Sequence, residues 1–112
     1  MIKHLLILAV PLLSAACVTD RGADTLTGSA AEGRAFAAAH CAGCHALEGG
    51  ESPNPDAPSL RRAAHQLPAP MMAGSLRTGI QIGHTAGMPI FVFEDENIDK
   101  LLAYFEVLRA DD

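Results

Sequence analysis

The sequence has no tryptophan, one tyrosine and four phenylalanines, so a core of protein side chains alone is short of bulk. A domain this small buries a marginal share of its surface and commonly needs a staple. Cationic side chains are also few, eight Lys and Arg against thirteen Asp and Glu. A nucleic-acid surface needs clustered Lys and Arg, so that class of function is excluded. No apolar run reaches the roughly 20 residues of a membrane-spanning helix. No segment alternates convincingly with period two, which argues against sheet. The 112 residues leave room for one small domain.

The beginning of the chain reads as an address. Lys3 and His4 precede the apolar run Leu5 to Leu13, and the small residues Ser14-Ala15-Ala16 follow. That order is a secretory signal over residues 1–16. The formal net charge of −5 becomes more negative when Lys3 leaves. An acidic exported protein fits redox partners with a positively charged docking patch, since complementary fields mainly speed encounter. Three thiols are present, Cys17, Cys41 and Cys44, and an odd thiol in an exported chain needs a role. Leu13-Ser14-Ala15-Ala16-Cys17 resembles a bacterial lipobox, with the Leu one position earlier than usual. The lipid on Cys17 would be the chain's membrane contact. A plain signal-peptidase cut near Ala16 is the alternative. Residues 17–28 are polar and aperiodic and read as a tether, which places the domain at 29–112.

Within the domain, Ser29-Ala-Ala-Glu32 has the spacing of a capping box. It predicts a first helix running through the Ala-rich stretch to His40. Glu48 to Pro70 is dense in turn formers, with a short helix expected over Ser59 to Gln66. Another helix is expected from near Pro70 to Gly79, since Pro suits a first turn and Gly a helix end. Residues 83–93 should be irregular. The last helix is announced by Glu94-Asp95-Glu96 at its positive dipole end. Ile98, Leu101, Leu102, Phe105 and Leu108 then recur at spacings of three and four. The fold class is all-α.

Cys41-Ala42-Gly43-Cys44-His45 carries the chemistry. Two thiols three residues apart on a helical turn can each add to one vinyl group of a haem, and the adjacent His then faces the iron. C-x-x-C-H is the c-type attachment spacing, and export suits it. A redox dithiol needs a βαβ setting, and no strands are expected. A zinc site needs four ligands, and His65 and His84 offer no tight spacing. The staple missing from the composition is therefore haem c, one per chain. His40 should point away from an iron held by its neighbours, and Met71 and Met72 read as core. Met88, between Gly87 and Pro89 in a Gly-rich loop, is the candidate for the sixth ligand, with His84 as its rival. His/Met ligation raises haem potential. Leu60, Leu67, Leu76, Ile80, Ile82, Pro89, Phe91 and Leu102 are expected around the ring. Arg61 and Arg62 are candidates to meet the propionates, although solvated positions suit them as well.

In the same order, Gly33, the haem motif, Ala57-Pro58-Ser59-Leu60, Gly87-Met88-Pro89 and Leu101-Leu-Ala-Tyr104-Phe105 resemble the small monohaem class I c-type cytochromes. The resemblance runs from about Ala31 to Arg109. It implies three to five short helices around one covalent haem, with Cys41, Cys44, His45, Pro58, Leu60 and Met88 at the cofactor and His45 and Met88 on the metal. It also implies that the Pro58 carbonyl accepts the Nδ1 proton of His45. Gly33 would mark a close crossing of the first and last helices, with Tyr104 opposite. One departure is the family's aromatic four residues before the first Cys: Ala37 stands there, and the aromatic is Phe36. The implied role is a one-electron carrier between periplasmic or membrane partners, not an enzyme. Alternatives are a haem subunit of a dehydrogenase or oxidase and a gas-binding or peroxidatic haem protein with an open sixth site.

Overall fold

The computed structural model describes residues 26–79 and 87–111. The expected leader, Cys17, most of the tether, Ile80, Ile82 and His84 lie outside the described residues. Among the described residues four helices follow one another: α1 Gly28–His40, α2 Leu60–Gln66, α3 Ala69–Thr78 and α4 Asp95–Ala110. Among the described residues there is no strand, and the fold is the all-α one expected. None of the described helices is long and apolar enough to cross a membrane.

The helices form for local reasons. α1 is Ala-rich, and Ala is the best helix former. Its start corrects the capping-box expectation. The helix begins at Gly28, with Thr27 as N-cap and no side-chain cap bond. Glu32 is used elsewhere, 3.2 Å from the Lys100 ammonium on α4. α2 starts as a helix should, with the Ser59 hydroxyl accepting from the Arg62 amide at 3.2 Å. Its far end is held by Arg109 of α4, whose guanidinium donates to the carbonyls of Ala64 (2.7 Å) and Leu67 (3.1 Å). α3 has Pro in its first turn and stops at Gly79, whose φ of 86° suits a residue without a Cβ.

α1 and α4 pack against each other more extensively than any other helix pair. The reason is a stripe of small residues. A Cβ on Gly33 would stand 1.9 Å from the Lys100 carbonyl oxygen and 3.0 Å from the Tyr104 Cβ. One turn further, Ala37 is fully buried. The inner face of α4 supplies Ile98, Leu101, Tyr104, Phe105 and Leu108, all buried. Leu102, expected on that face, sits only half-buried at the edge of the core. α2 and α3 close the other side of α4 with Leu60, Ala64, Met72 and Leu76.

Candidate haem site

The motif continues the turn of α1. The Cys41 amide donates to the Ala37 carbonyl at 2.7 Å, and the His45 amide donates to the Cys41 carbonyl at 2.9 Å. That helix-like closure puts residues 41, 44 and 45 on one side of the backbone. The two thiols are not joined to each other. Cys44 is exposed; Cys41 is half-buried, and burial pushes its thiol above the usual value.

His45 is buried, and its Nδ1 lies 2.6 Å from the Pro58 carbonyl oxygen. A carbonyl can only accept, so Nδ1 carries the proton and Nε2 keeps a free lone pair. Such a partner fixes both the tautomer and the plane of a metal-binding ring. Pro58 is brought there by the loop after the motif. The Asn54 amide donates to the Cys44 carbonyl (3.1 Å), the Ala57 amide to the Asn54 carbonyl (3.0 Å), and the Leu60 amide to the Ala46 carbonyl (2.8 Å). The chain folds back on itself, and residue 58 arrives over residue 45.

Below this turn lies a cleft of about 240 Å³ lined by Cys41, Cys44, His45, Pro58, Leu67 and Met88, among others. An inner, apolar recess of about 70 Å³ adds Leu60, Met72, Ser75, Leu76, Leu101 and Phe105. Cys41, His45, Pro58, Met88 and Phe91 belong to both walls. Of the expected residues, Cys41, Cys44, His45, Pro58, Met88, Leu67, Pro89 and Phe91 line the outer cleft, and Leu60 and Leu76 line the recess that shares its wall. Leu102 is absent from the lining, and its neighbour Leu101 takes that place. Arg61 and Arg62 are absent too. Arg61 reaches towards Asp111 at 3.7 Å, and Arg62 is exposed.

Sequence reasoning expected Leu76 of α3 and Phe91 of the aromatic loop at the ring but missed Met72, Ser75 and Phe93 beside them. Met72 is buried, as expected of core, yet it also lines the recess beside Ser75. The spacing of 72, 75 and 76 on one helical face was the available signal. His40, expected to point away, contributes to the outer wall, with its ring 4.3 Å from that of Phe36. Phe36 explains the departure at Ala37. Moving the aromatic one position takes it out of the helix crossing and sets it edge-on to Phe93 at 5.0 Å, with Phe91 stacked on Phe93 at 5.4 Å. Edge-to-face and offset aromatic pairs are favourable beyond their area. They pin residues 91–93 to α1 while Ile90 and Val92 face outward.

A polar clasp holds the loop after the motif. One Glu48 carboxylate oxygen accepts from the Arg34 Nε at 2.6 Å and from the Tyr104 hydroxyl at 2.9 Å. Burial by itself would push this carboxyl up, but donation from Arg34 and Tyr104 and the Arg34 charge win, holding it below its usual value. Tyr104 moves the other way: burial and its bond to Glu48 push the phenol up. A carboxyl depressed by folding stabilises above its unfolded value, about 4.3, and that contribution disappears as pH falls through the lower folded value. The Glu48→Gln protein should thus melt below the wild type at pH 7, with the gap narrowing as pH falls below the unfolded value of about 4.3. A gap unchanged over that range in thermal melts would rule the clasp out as a source of pH dependence.

Two thiols, a free imidazole nitrogen held in place, a thioether and apolar walls form a donor set that fits a covalently held haem. Among the described residues, no group of three or more His, Cys, Asp and Glu is placed to hold a bare metal ion. A family model described as cytochrome c oxidase, cbb3-type, subunit III, matches residues 28–105. No individual curated protein and no solved structure matches the chain. The match covers α1 through most of α4, the whole wall of the cleft. The chain belongs to this family of c-type cytochrome domains, with covalently bound haem c as its cofactor and electron transfer as its role.

Proposed function

We propose that the protein is a one-electron carrier in which His45 and Met88 ligate the haem iron from opposite faces. The observation that carries this reading is the His45 ring, fixed by Pro58 at 2.6 Å, in a cleft that Met88 also lines. Bound haem supplies the one-electron change. The chain's own part is to keep the surroundings the same in both states. Pro58 holds the imidazole proton on Nδ1, so the Nε2 lone pair stays directed into the cleft. Pro89 stiffens the chain next to Met88, and Phe91 and Phe93 tie that loop to α1. Leu60, Leu67, Leu76 and Phe105 exclude water and lower the local dielectric, which disfavours the more highly charged ferric form. No side chain is asked to take up or release a proton, and none acts on a bond-making substrate.

The acidic surface supports a redox partner with a positive docking patch. The family description supports a second setting, in which the domain passes electrons within an oxidase complex. Residues 1–16 fit an export signal and Cys17 a lipid anchor in the periplasm, with the polar residues 17–28 as tether. A bacterial lipoprotein carries several acyl chains, and more than one chain is what stable membrane attachment needs.

One purified preparation tests these points. Its intact mass should equal the chain from Cys17 plus one haem plus the lipid; a mass without haem sinks the cofactor, and one without lipid sinks only the anchor. The reduced protein should show a low-spin spectrum that carbon monoxide leaves unchanged. Rapid carbon monoxide binding would instead favour an open-site haem protein.

A further inference from the structure

The Ser75 hydroxyl is an anomaly in the recess. The residue is 4% exposed, and its Oγ is buried without a hydrogen-bond partner. Buried hydroxyls almost always have one, and leaving one unpaired is costly. A partner is available within α3 itself, because a helical Ser or Thr can donate to the carbonyl four residues back. Thr78 does so, donating to the Gly74 carbonyl at 2.9 Å. Ser75 makes no such bond, although the residue lines the recess.

We propose that Ser75 donates a hydrogen bond to the sulfur of Met88 when that sulfur is bound to the haem iron, and thereby raises the reduction potential. This rests on the assignment of Met88 as the sixth ligand. The other acceptors fit less well. Met72 lies three residues back on the same helix, and the Ser75 hydroxyl makes no bond to it. A haem propionate would have to sit among Leu60, Leu76, Phe93, Leu101 and Phe105 with no cation beside it, and an unpaired buried charge is far more costly than an unpaired hydroxyl. The nearest guanidinium on α3, Arg77, turns outward to Asp99 at 3.4 Å. A trapped water needs about two to four polar partners, and these walls are otherwise almost wholly apolar. The thioether of Met88 is the neutral, weak acceptor that borders the same recess.

The sign of the effect separates this role from a packing role. Donation to sulfur withdraws electron density from the iron and favours the ferrous state. Removing it should shift the balance towards ferric. Merely making the recess less polar does the opposite, because a drier site disfavours the extra charge of the ferric form.

The test is the midpoint potential and the oxidised sulfur-to-iron charge-transfer band of the holoprotein, compared among wild type, Ser75→Val, Ser75→Ala and Ser75→Thr. Val and Thr have nearly the same shape, and only Thr keeps the donor. Loss of one weak hydrogen bond should favour ferric about threefold, which at 59 mV per decade is about 28 mV lower. Ser75→Val and Ser75→Ala should show that drop and a shifted band, with Ser75→Thr close to wild type. Unchanged or raised potentials in Val and Ala, or equal shifts in Thr and Val, overturn the proposal and leave Met88 ligation intact. Absence of the charge-transfer band from the wild type overturns the ligand assignment, and this inference with it.

Discussion

Replacing Met88 by His should lower the midpoint potential by a few tenths of a volt, within the roughly 0.8 V span that axial ligands control. Thioether sulfur is a weak donor that favours ferrous iron; a second imidazole donates more strongly and stabilises ferric. The Met88→Ala protein should lose the sixth ligand and, once reduced, bind carbon monoxide within the mixing time. Both variants should keep their haem, because the attachment through Cys41 and Cys44 and the His45–Pro58 pair does not involve Met88. Electrochemical titration and a spectrum with and without carbon monoxide decide the matter. A Met88→His potential within a few tens of millivolts of wild type would transfer the ligand role to another residue. Loss of haem from Met88→Ala would instead make Met88 part of the attachment machinery.

The Gly33→Ala protein should be strongly destabilised. One methyl group would press 1.9 Å from the Lys100 carbonyl oxygen, against backbone rather than a side chain that can swing away. Overpacking costs about 1–3 kcal/mol and occasionally more, a large part of the roughly 5–15 kcal/mol that holds a small domain together. Relief requires α1 and α4 to separate, which also loosens Ala37 and the clasp of Glu48 on Tyr104. Thermal melts followed at 222 nm should therefore show a much lower transition, or none, for holoprotein of Gly33→Ala. A melt matching the wild type would mean that the crossing is not where the fold is held.

The fold and much of the site could be read in the residues. The periodicity of Ile98 to Leu108 announced α4 and Gly79 marked the end of α3, because each rests on a local property of the chain, whereas Gly33 as the crossing point came from the resemblance to class I cytochromes. C-x-x-C-H was legible because its chemistry depends on a fixed spacing within five residues. What was not legible depended on long-range pairing. Ser29 and Glu32 have the spacing of a capping box, but Lys100, distant in sequence, competes for Glu32. Leu101 and Leu102 are equivalent as apolar letters, and only the angle at which α4 meets α1 selects Leu101 for the cleft. No motif, spacing or composition marks Ser75 in the sequence. Its burial becomes visible only when α3 is laid against Leu101 and Phe105.

The α1–α4 crossing also sets an order of events. A chain that emerges amino end first presents Cys41 and Cys44 well before α4 has been delivered, and α1 has no surface to pack against until then. The thiols thus stay accessible to an attachment machinery throughout that interval. When the last helix arrives and Gly33 meets Lys100, the two ends of the domain close on each other, and whatever lies in the cleft by then is enclosed.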